Sequence, residues 1–321
     1  MSRRRILILG ASGFLGANLV RHFASNAGSG GEDEVIALTG PSDPKSHWRL
    51  EGLDRSRIRF ESCDVTDRSR FRKQLRDLAP HTVVNCAVYG HLPNQQDLDL
   101  MYAVNFTAVR DLCDAVAGIP GFRALIHAGS ASEYGYNCVA PSETGHMQPD
   151  SEYSVSKIAS TAYLQYLGKA RDFPVWILRI YLAYGPFQDS NRLLSRLIEG
   201  GATGKLPELT DPEISRDFIH VDDIAKAMDA ILDRQSKLTP GEVFNLGTGI
   251  KTRLGDLVTM VQKAFPGVTE APKWGTLPKR AGDRNNWYAD ISKARQELGW
   301  EPRVDLETGV ARTCEWIRTR S

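Results

Sequence analysis

Residues 6–16 read Ile6-Leu7-Ile8-Leu9-Gly10-Ala11-Ser12-Gly13-Phe14-Leu15-Gly16. Four consecutive aliphatics describe a strand buried on both faces, as in a parallel sheet. Glycine follows at once and recurs at every third position. Apolar residues then return at helical spacing through Phe14, Leu15, Leu19, Val20 and Phe23. A strand passing through glycines into a helix N-terminus predicts a dinucleotide site. Gly10 permits a tight turn, Gly13 lets a pyrophosphate approach the backbone, and Gly16 lets helix and strand pack closely. The helix start offers free N–H groups and a positive dipole end. Ser12, Phe14 and Leu15 share this turn and join the glycines as candidate cofactor contacts. The spacing is GxxGxxG rather than GxGxxG. The rival interpretation is a glycine-rich turn with no ligand. The position of this strand as the first in the chain, with a helix directly after it, favours the cofactor.

The 321 residues are 41% hydrophobic and 25% charged, with a net charge of +1. This is ordinary globular composition, long enough for a large domain and a smaller one. Near-neutral charge argues against nucleic acid or a membrane surface as the main partner. The apolar run after Arg3-Arg4-Arg5 breaks at Gly10. It is too short for a signal h-region or a membrane span. Five cysteines are widely spaced, with no CxxC and no Cys/His ligand cluster. Reduced thiols, a cytoplasmic location and no metal are expected.

Strands and helices alternate along the chain. Strands are expected at Glu34–Thr39, Ile58–Ser62, Thr82–Ala87 and Phe122–Ala128, and a long helix at Leu98–Ala117. The pattern predicts an α/β fold, a doubly wound parallel sheet of Rossmann type. An acid at the end of the second strand would bind the adenosine ribose 2′-OH and select NAD. This chain instead has Thr39 and Ser42, with Lys45 and Arg49 further on. Those groups suit a 2′-phosphate and point to NADP. NAD stays open, with Lys45 and Arg49 as solvated charges. Asp64, beside Val65, accepts from the adenine amino group or else caps the helix expected near Thr66. Ala87 ends the fourth strand at the carboxyl edge of the sheet, where ligands bind in such folds.

The fifth strand leads into Gly129-Ser130-Ala131-Ser132-Glu133-Tyr134-Gly135, and Tyr153-Ser154-Val155-Ser156-Lys157 opens another helix. Tyrosine and lysine four apart share a helix face. A neighbouring ammonium lowers a tyrosine pKa from about 10 toward the working pH. Such a tyrosine exchanges a proton with a sugar hydroxyl or ketone as a hydride moves, and a nearby serine holds the same oxygen.

With these motifs the chain resembles an extended short-chain dehydrogenase/reductase of the NAD-dependent epimerase/dehydratase family, which works on nucleotide sugars. The resemblance runs over essentially the whole length. It implies that Ser130, Tyr153 and Lys157 are catalytic, and that Tyr153 and Lys157 also meet the cofactor, Lys157 at the nicotinamide ribose. Arg179-Ile180-Tyr181-Leu182-Ala183-Tyr184-Gly185-Pro186 resembles the family's R-x-x-N-x-Y-G-P segment. Arg216-Asp217-Phe218 and Arg280-Ala281-Gly282-Asp283 resemble two later ones. By this matching Arg216 and Arg280 bind the diphosphate, Asp283 a ribose hydroxyl, and Arg192 lies along the nucleotide base. Ser132 and Leu182 face the substrate. The resemblance also implies a homodimer through the helices that start at Leu98 and Tyr153.

Two departures set the subclass. The dehydratases of this family place an acid pair or Ser-Glu after the catalytic residue; here those positions are Ala131 and Ser132. Glu133 falls one place late, which in a strand-like segment turns it to the other face. Leu182 replaces an asparagine that supports the sugar diphosphate. The expected domains are a dinucleotide-binding part over 1–184 with a return segment 214–246, and a smaller C-terminal substrate-binding cap over 185–213 and 247–321. The expected function is reduction of a nucleotide-linked 4-keto-6-deoxysugar with NADPH. The alternatives are an NAD-dependent nucleotide-sugar 4-epimerase and a non-catalytic NAD(P)-sensing protein.

Overall fold

The computed structural model describes residues 4–26, 33–41, 44–92, 94–278, 283 and 285–319. The chain begins with strand β1 (Arg5–Leu9), helix α1 (Phe14–Asn26), β2 (Glu34–Thr39), β3 (Ile58–Ser62), α2 (Arg68–Leu78) and β4 (Thr82–Asn85). It continues with α3 (Leu98–Tyr102), α4 (Ala108–Val116), β5 (Ala124–Ser130), α5 (Glu152–Arg171), β6 (Val175–Ile180), β7 (Leu182–Tyr184) and α6 (Leu193–Thr203). The remainder is β8 (Ser215–Arg216), β9 (Phe218–His220), α7 (Val221–Arg234), β10 (Val243–Leu246), β11 (Thr252–Arg253), α8 (Leu254–Ala264) and α9 (Leu306–Arg318).

Seven strands form one sheet in the order β10-β6-β5-β4-β1-β2-β3. β1 lies parallel to both β2 and β4, and β5 lies parallel to β4. The order grows outward on both sides of the β1/β4 pair, so the sheet is doubly wound and its switch point lies there. The aliphatic run predicted this. Ile6, Leu7, Ile8 and Leu9 are all buried, as a strand covered on both faces requires.

Several boundaries move for local reasons. β4 stops at Asn85, short of the expected Ala87, because the Asn85 side chain turns to accept the Ala87 N–H (3.1 Å). β5 starts at Ala124 rather than Phe122, whose N–H closes a turn on Ile119 (3.1 Å). The expected helix Leu98–Ala117 is broken by a wide π-turn at Ala103–Thr107. Inside that turn Asn105 bonds both the N–H and the carbonyl of Tyr89 (2.9 Å each). Asp67, not Asp64, caps α2 by accepting from the Arg70 N–H; Asp64 accepts from the Thr66 N–H and hydroxyl.

The chain divides into two units. The first comprises residues 1–133, 151–179 and 228–244; the second comprises 134–150, 180–227 and 245–321. The first has a core of sheet residues such as Leu7, Ile36, Val83, Leu125 and Ile177, with Phe71, Leu75, Leu112 and Leu164 from its helices. In the second, β7 pairs with β9 and β8 with β11. Its core joins Tyr184 and Phe218 to Leu197, Ile198, Leu257, Val261 and Val310.

Candidate functional site

The glycine turn sits at the switch point, where β1 ends. Gly10 has φ +77°, a conformation open to glycine at little cost. Its N–H and that of Ala11 both donate to the Leu38 carbonyl (3.1 Å each), and the Gly13 N–H donates back to Gly10 (3.0 Å). A Cβ on Gly10 would stand 2.7 Å from the Ala87 nitrogen, and one on Gly16 would run into the Gly10 carbonyl oxygen. Gly13 is exposed, and half-buried Ser12, Phe14 and Leu15 flank it. At Gly10, Gly13 and Gly16 the turn presents bare backbone, at the start of α1. That is the form a dinucleotide pyrophosphate needs.

Around it, the other candidate cofactor contacts vary. Thr39 is buried and its hydroxyl donates to the Glu61 carbonyl (3.3 Å). Arg49 is also buried, stacks on Trp48 (4.4 Å) and donates to the Ser12 carbonyl (3.4 Å). The alternative of a solvated Arg49 is thereby corrected, since its guanidinium is drawn in beside the glycine turn. Ser42 lies outside the described residues, as does the side chain of Lys45. Val65 and Ala87 pack against the first core from its edge.

The second constellation is built by β5 and α5. Ser151 caps α5 by accepting the Ser154 N–H (3.2 Å), which sets the helix phase. Half-buried Tyr153 falls in the first turn and Lys157, only 1% exposed, one turn later. The Lys157 Nζ donates to the Ala128 carbonyl (2.8 Å) and stands 3.3 Å from His127 Nε2. Burial pushes the lysine down to about 8, while the charge of Glu133 pulls it upward. Burial, with the Lys157 charge, holds His127 well below the ordinary histidine range.

Ser130 ends β5. Its hydroxyl lies 2.8 Å from that of Ser132, and its N–H donates to Glu133 Oε1 (2.9 Å). The segment after it is a 3₁₀ turn, Ala131–Tyr134, not the extended stretch expected. In that turn Glu133 folds back into the interior and takes Arg179 Nε at 2.8 Å, both groups almost fully buried. Glu133 is thus engaged by Arg179 and the Ser130 N–H through 3₁₀ winding, not turned over by the one-place offset of an extended strand. Motif spacing picked out Arg179 as the first residue of a family-like segment but gave it no partner; it did not reveal Glu133 as that partner, and it missed His127, Asn85 and Asn105. Their signal was a polar residue within an apolar strand or helix stripe, as in Ala124-Leu125-Ile126-His127 and Val175-Trp176-Ile177-Leu178-Arg179.

In the second unit, Arg216 donates to Asp283 (2.7 Å) and to the Ser215 carbonyl (2.8 Å), and lies over Trp287. The two residues assigned separately to diphosphate and ribose are thus an ion pair. Asp217 accepts from the Thr248 N–H and hydroxyl, the Gly249 N–H and the Ala289 N–H. Burial still raises its pKa against those bonds. Leu182 packs on the second core, and Arg192 precedes α6 without a side-chain cap bond. Arg280 lies outside the described residues. Among the described residues no group of His, Cys, Asp and Glu is placed to hold a metal, and no helix is long and apolar enough to cross a membrane.

The chain is 29% identical to a UDP-glucose 4-epimerase of Mycolicibacterium smegmatis over 99% of both chains. It is 27% identical to a dTDP-glucose 4,6-dehydratase of Streptomyces griseus over 97% of this chain and 93% of that one. Its structure matches the UDP-glucuronic acid 4-epimerase of Bacillus cereus, solved with UDP-glucuronic acid and NAD, with a TM-score of 0.86. That match is 26% identical and covers 99% of this chain and 100% of the other. The family model for NAD-dependent epimerases and dehydratases matches residues 6–247, three quarters of the chain, and the protein belongs to that family.

Proposed function

We propose that this protein is a nucleotide-sugar 4-epimerase that retains NAD. The observation that carries the reading is the Ser130, Tyr153 and Lys157 set, with Lys157 buried and Ser130 tied down by Glu133. Relatives named as epimerases, and one solved with NAD, support it. Relatives named as dehydratases bring that reaction into view as well. Ala131 and Ser132 stand where an eliminating acid is needed, and Glu133 is engaged with Arg179, so elimination is not proposed.

NAD held against the Gly10–Gly16 turn, with Lys157 at its nicotinamide ribose, would supply the hydride acceptor for the sugar C4 and then the donor. The residues of this chain handle the proton. Tyr153, as phenolate, takes the C4 hydroxyl proton as the hydride leaves and gives it back when the hydride returns to the opposite face. Ser130 donates its O–H to the same oxygen. The Lys157 ammonium stabilises the phenolate. Arg216, held in orientation by Asp283, and Arg280 receive the diphosphate. Ser132, Leu182 and Arg192 are assigned to the sugar and base.

A second reading, NADPH-dependent reduction of a 4-keto sugar nucleotide, has one observation in its favour. No acid ends β2, and the Arg49 guanidinium reaches the Ser12 carbonyl. One experiment separates the two. The protein is purified without added nucleotide and denatured, and the released nucleotide is identified by mass spectrometry. Stoichiometric NAD, with interconversion of a UDP-hexose or UDP-hexuronate pair without added cofactor, supports the epimerase. An empty site that binds NADPH more tightly than NADH overturns it in favour of the reductase.

A further inference from the structure

Beneath Lys157 lies a buried polar chain that the reaction above does not use. Asn85 at the end of β4, His127 in β5 and Lys157 on α5 are each at most 2% exposed. Asn85 Nδ2 stands 3.2 Å from His127 Nδ1, and His127 Nε2 stands 3.3 Å from Lys157 Nζ. Asn85 Oδ1 accepts the Ala87 N–H at 3.1 Å.

These contacts fix where the hydrogens are. The Ala87 N–H can only donate, so the amide oxygen of Asn85 must face it. The Asn85 amino group then faces His127 Nδ1 and donates to it. A neutral imidazole carries one hydrogen. With Nδ1 accepting, that hydrogen is on Nε2, aimed at the lysine. An ammonium has no lone pair to receive it, whereas a neutral amine has one. Nζ also donates to the Ala128 carbonyl and feels the Glu133 carboxylate, which favours the ammonium, and Cys86, while Tyr153 lies one helix turn before it on α5. The Cys86 thiol is itself pushed up to about 12 by burial, so it adds little charge at neutral pH.

We propose that His127 is a positioning residue that sets the charge state of Lys157, held by Asn85 as the neutral Nε2–H tautomer so that a ring N–H, not a lone pair, faces Nζ. The functional consequence rests on the reading that the Lys157 ammonium serves Tyr153. His127 and burial favour the amine, and Glu133 favours the ammonium. The balance leaves Lys157 titrating near the working pH, consistent with its depression to about 8. Turnover then falls as pH rises through that value, because the phenolate loses its cationic neighbour.

The first test is independent of any activity. Nitrogen-15 NMR is recorded on the full-length protein labelled at histidine, with His127 assigned by the signal lost in His127→Gln. An Nε2–H tautomer that does not protonate between about pH 6 and 9 is expected, outside the usual histidine behaviour. An Nδ1–H tautomer, or a ring that titrates in that range, overturns the proposal. The second test is Asn85→Asp. The carboxylate still accepts from Ala87 and also accepts an Nδ1–H, which reverses the tautomer and turns the Nε2 lone pair toward Lys157. The alkaline limb of the turnover profile is expected to move up by about one pH unit, a tenfold shift in the lysine equilibrium. A folded Asn85→Asp protein with an unmoved limb overturns the proposal. Should that variant not fold, the tautomer measurement decides. Absence of turnover in the wild type would instead count against the epimerase reading and leave the tautomer result standing.

Discussion

Lys157 binds its proton more weakly folded than unfolded, about 8 against the ordinary 10.5. Between those values the unfolded chain holds more protons, so stability rises with pH across that window. Below about 8 the whole cost of burying the ammonium is present, on the order of 3 kcal/mol. Lys157→Met is therefore expected to melt higher than wild type at neutral pH by at least about 3 °C, with no turnover. The gap should close as pH rises toward 10.5, and calorimetry across that range checks it. A Met variant that melts lower throughout would mean the site is organised around the charge. At Tyr153 the expectation is kinetic. Tyr153→Phe loses turnover by about 10²- to 10⁴-fold, the scale of general acid–base catalysis, and still binds dinucleotide. Unimpaired turnover in that variant would remove Tyr153 from the mechanism. His127 and Glu133 bear instead on Lys157 and Ser130, through the 3.3 Å approach to Nζ and the bond from the Ser130 N–H.

The glycine turn and the 3₁₀ turn do different work at the scale of elements. In the first, Gly10 and Gly16 lack a Cβ so that β1, α1 and the end of β4 can meet closely. Gly16→Ala puts a Cβ against the Gly10 carbonyl and moves the first turn of α1. Dinucleotide affinity is expected to fall by about tenfold or more, read by titration calorimetry. An unchanged affinity would show that α1 can shift without harm to the cradle. In the 3₁₀ turn, Glu133 folds beneath Ser130 and meets Arg179 from β6. Tyr153 and Lys157 were legible as a pair because their relation is local: one helix turn puts both on one face. The role of Glu133 was not legible, because one residue of 3₁₀ winding in place of extended chain redirects a side chain completely. The π-turn at Ala103–Thr107 was hidden too, since helical periodicity carries through it and only the tertiary bonds of Asn105 explain it.

For the whole molecule, the large apolar side chains Leu98, Val155 and Tyr166 on α3 and α5 are 46%, 40% and 50% exposed. The homodimer proposed through these helices predicts that sedimentation finds wild type as a dimer. Val155→Asp, which adds a charge to that face, should give a monomer. A wild-type monomer would end the proposal. The amino-acid sequence by itself determined the doubly wound sheet, the glycine turn after β1 and the Tyr153–Lys157 spacing on one helix. Each depends on residues close in the chain, whose spacing and backbone freedom act locally. Only the tertiary structure decided which buried polar groups meet. Arg179 reaches Glu133 across 46 positions, Lys157 reaches His127 across 30, and Arg216 reaches Asp283 across 67. No local preference encodes such pairs. They form because a polar group removed from water must find a partner, and the packing of distant strands and helices determines which one is within reach.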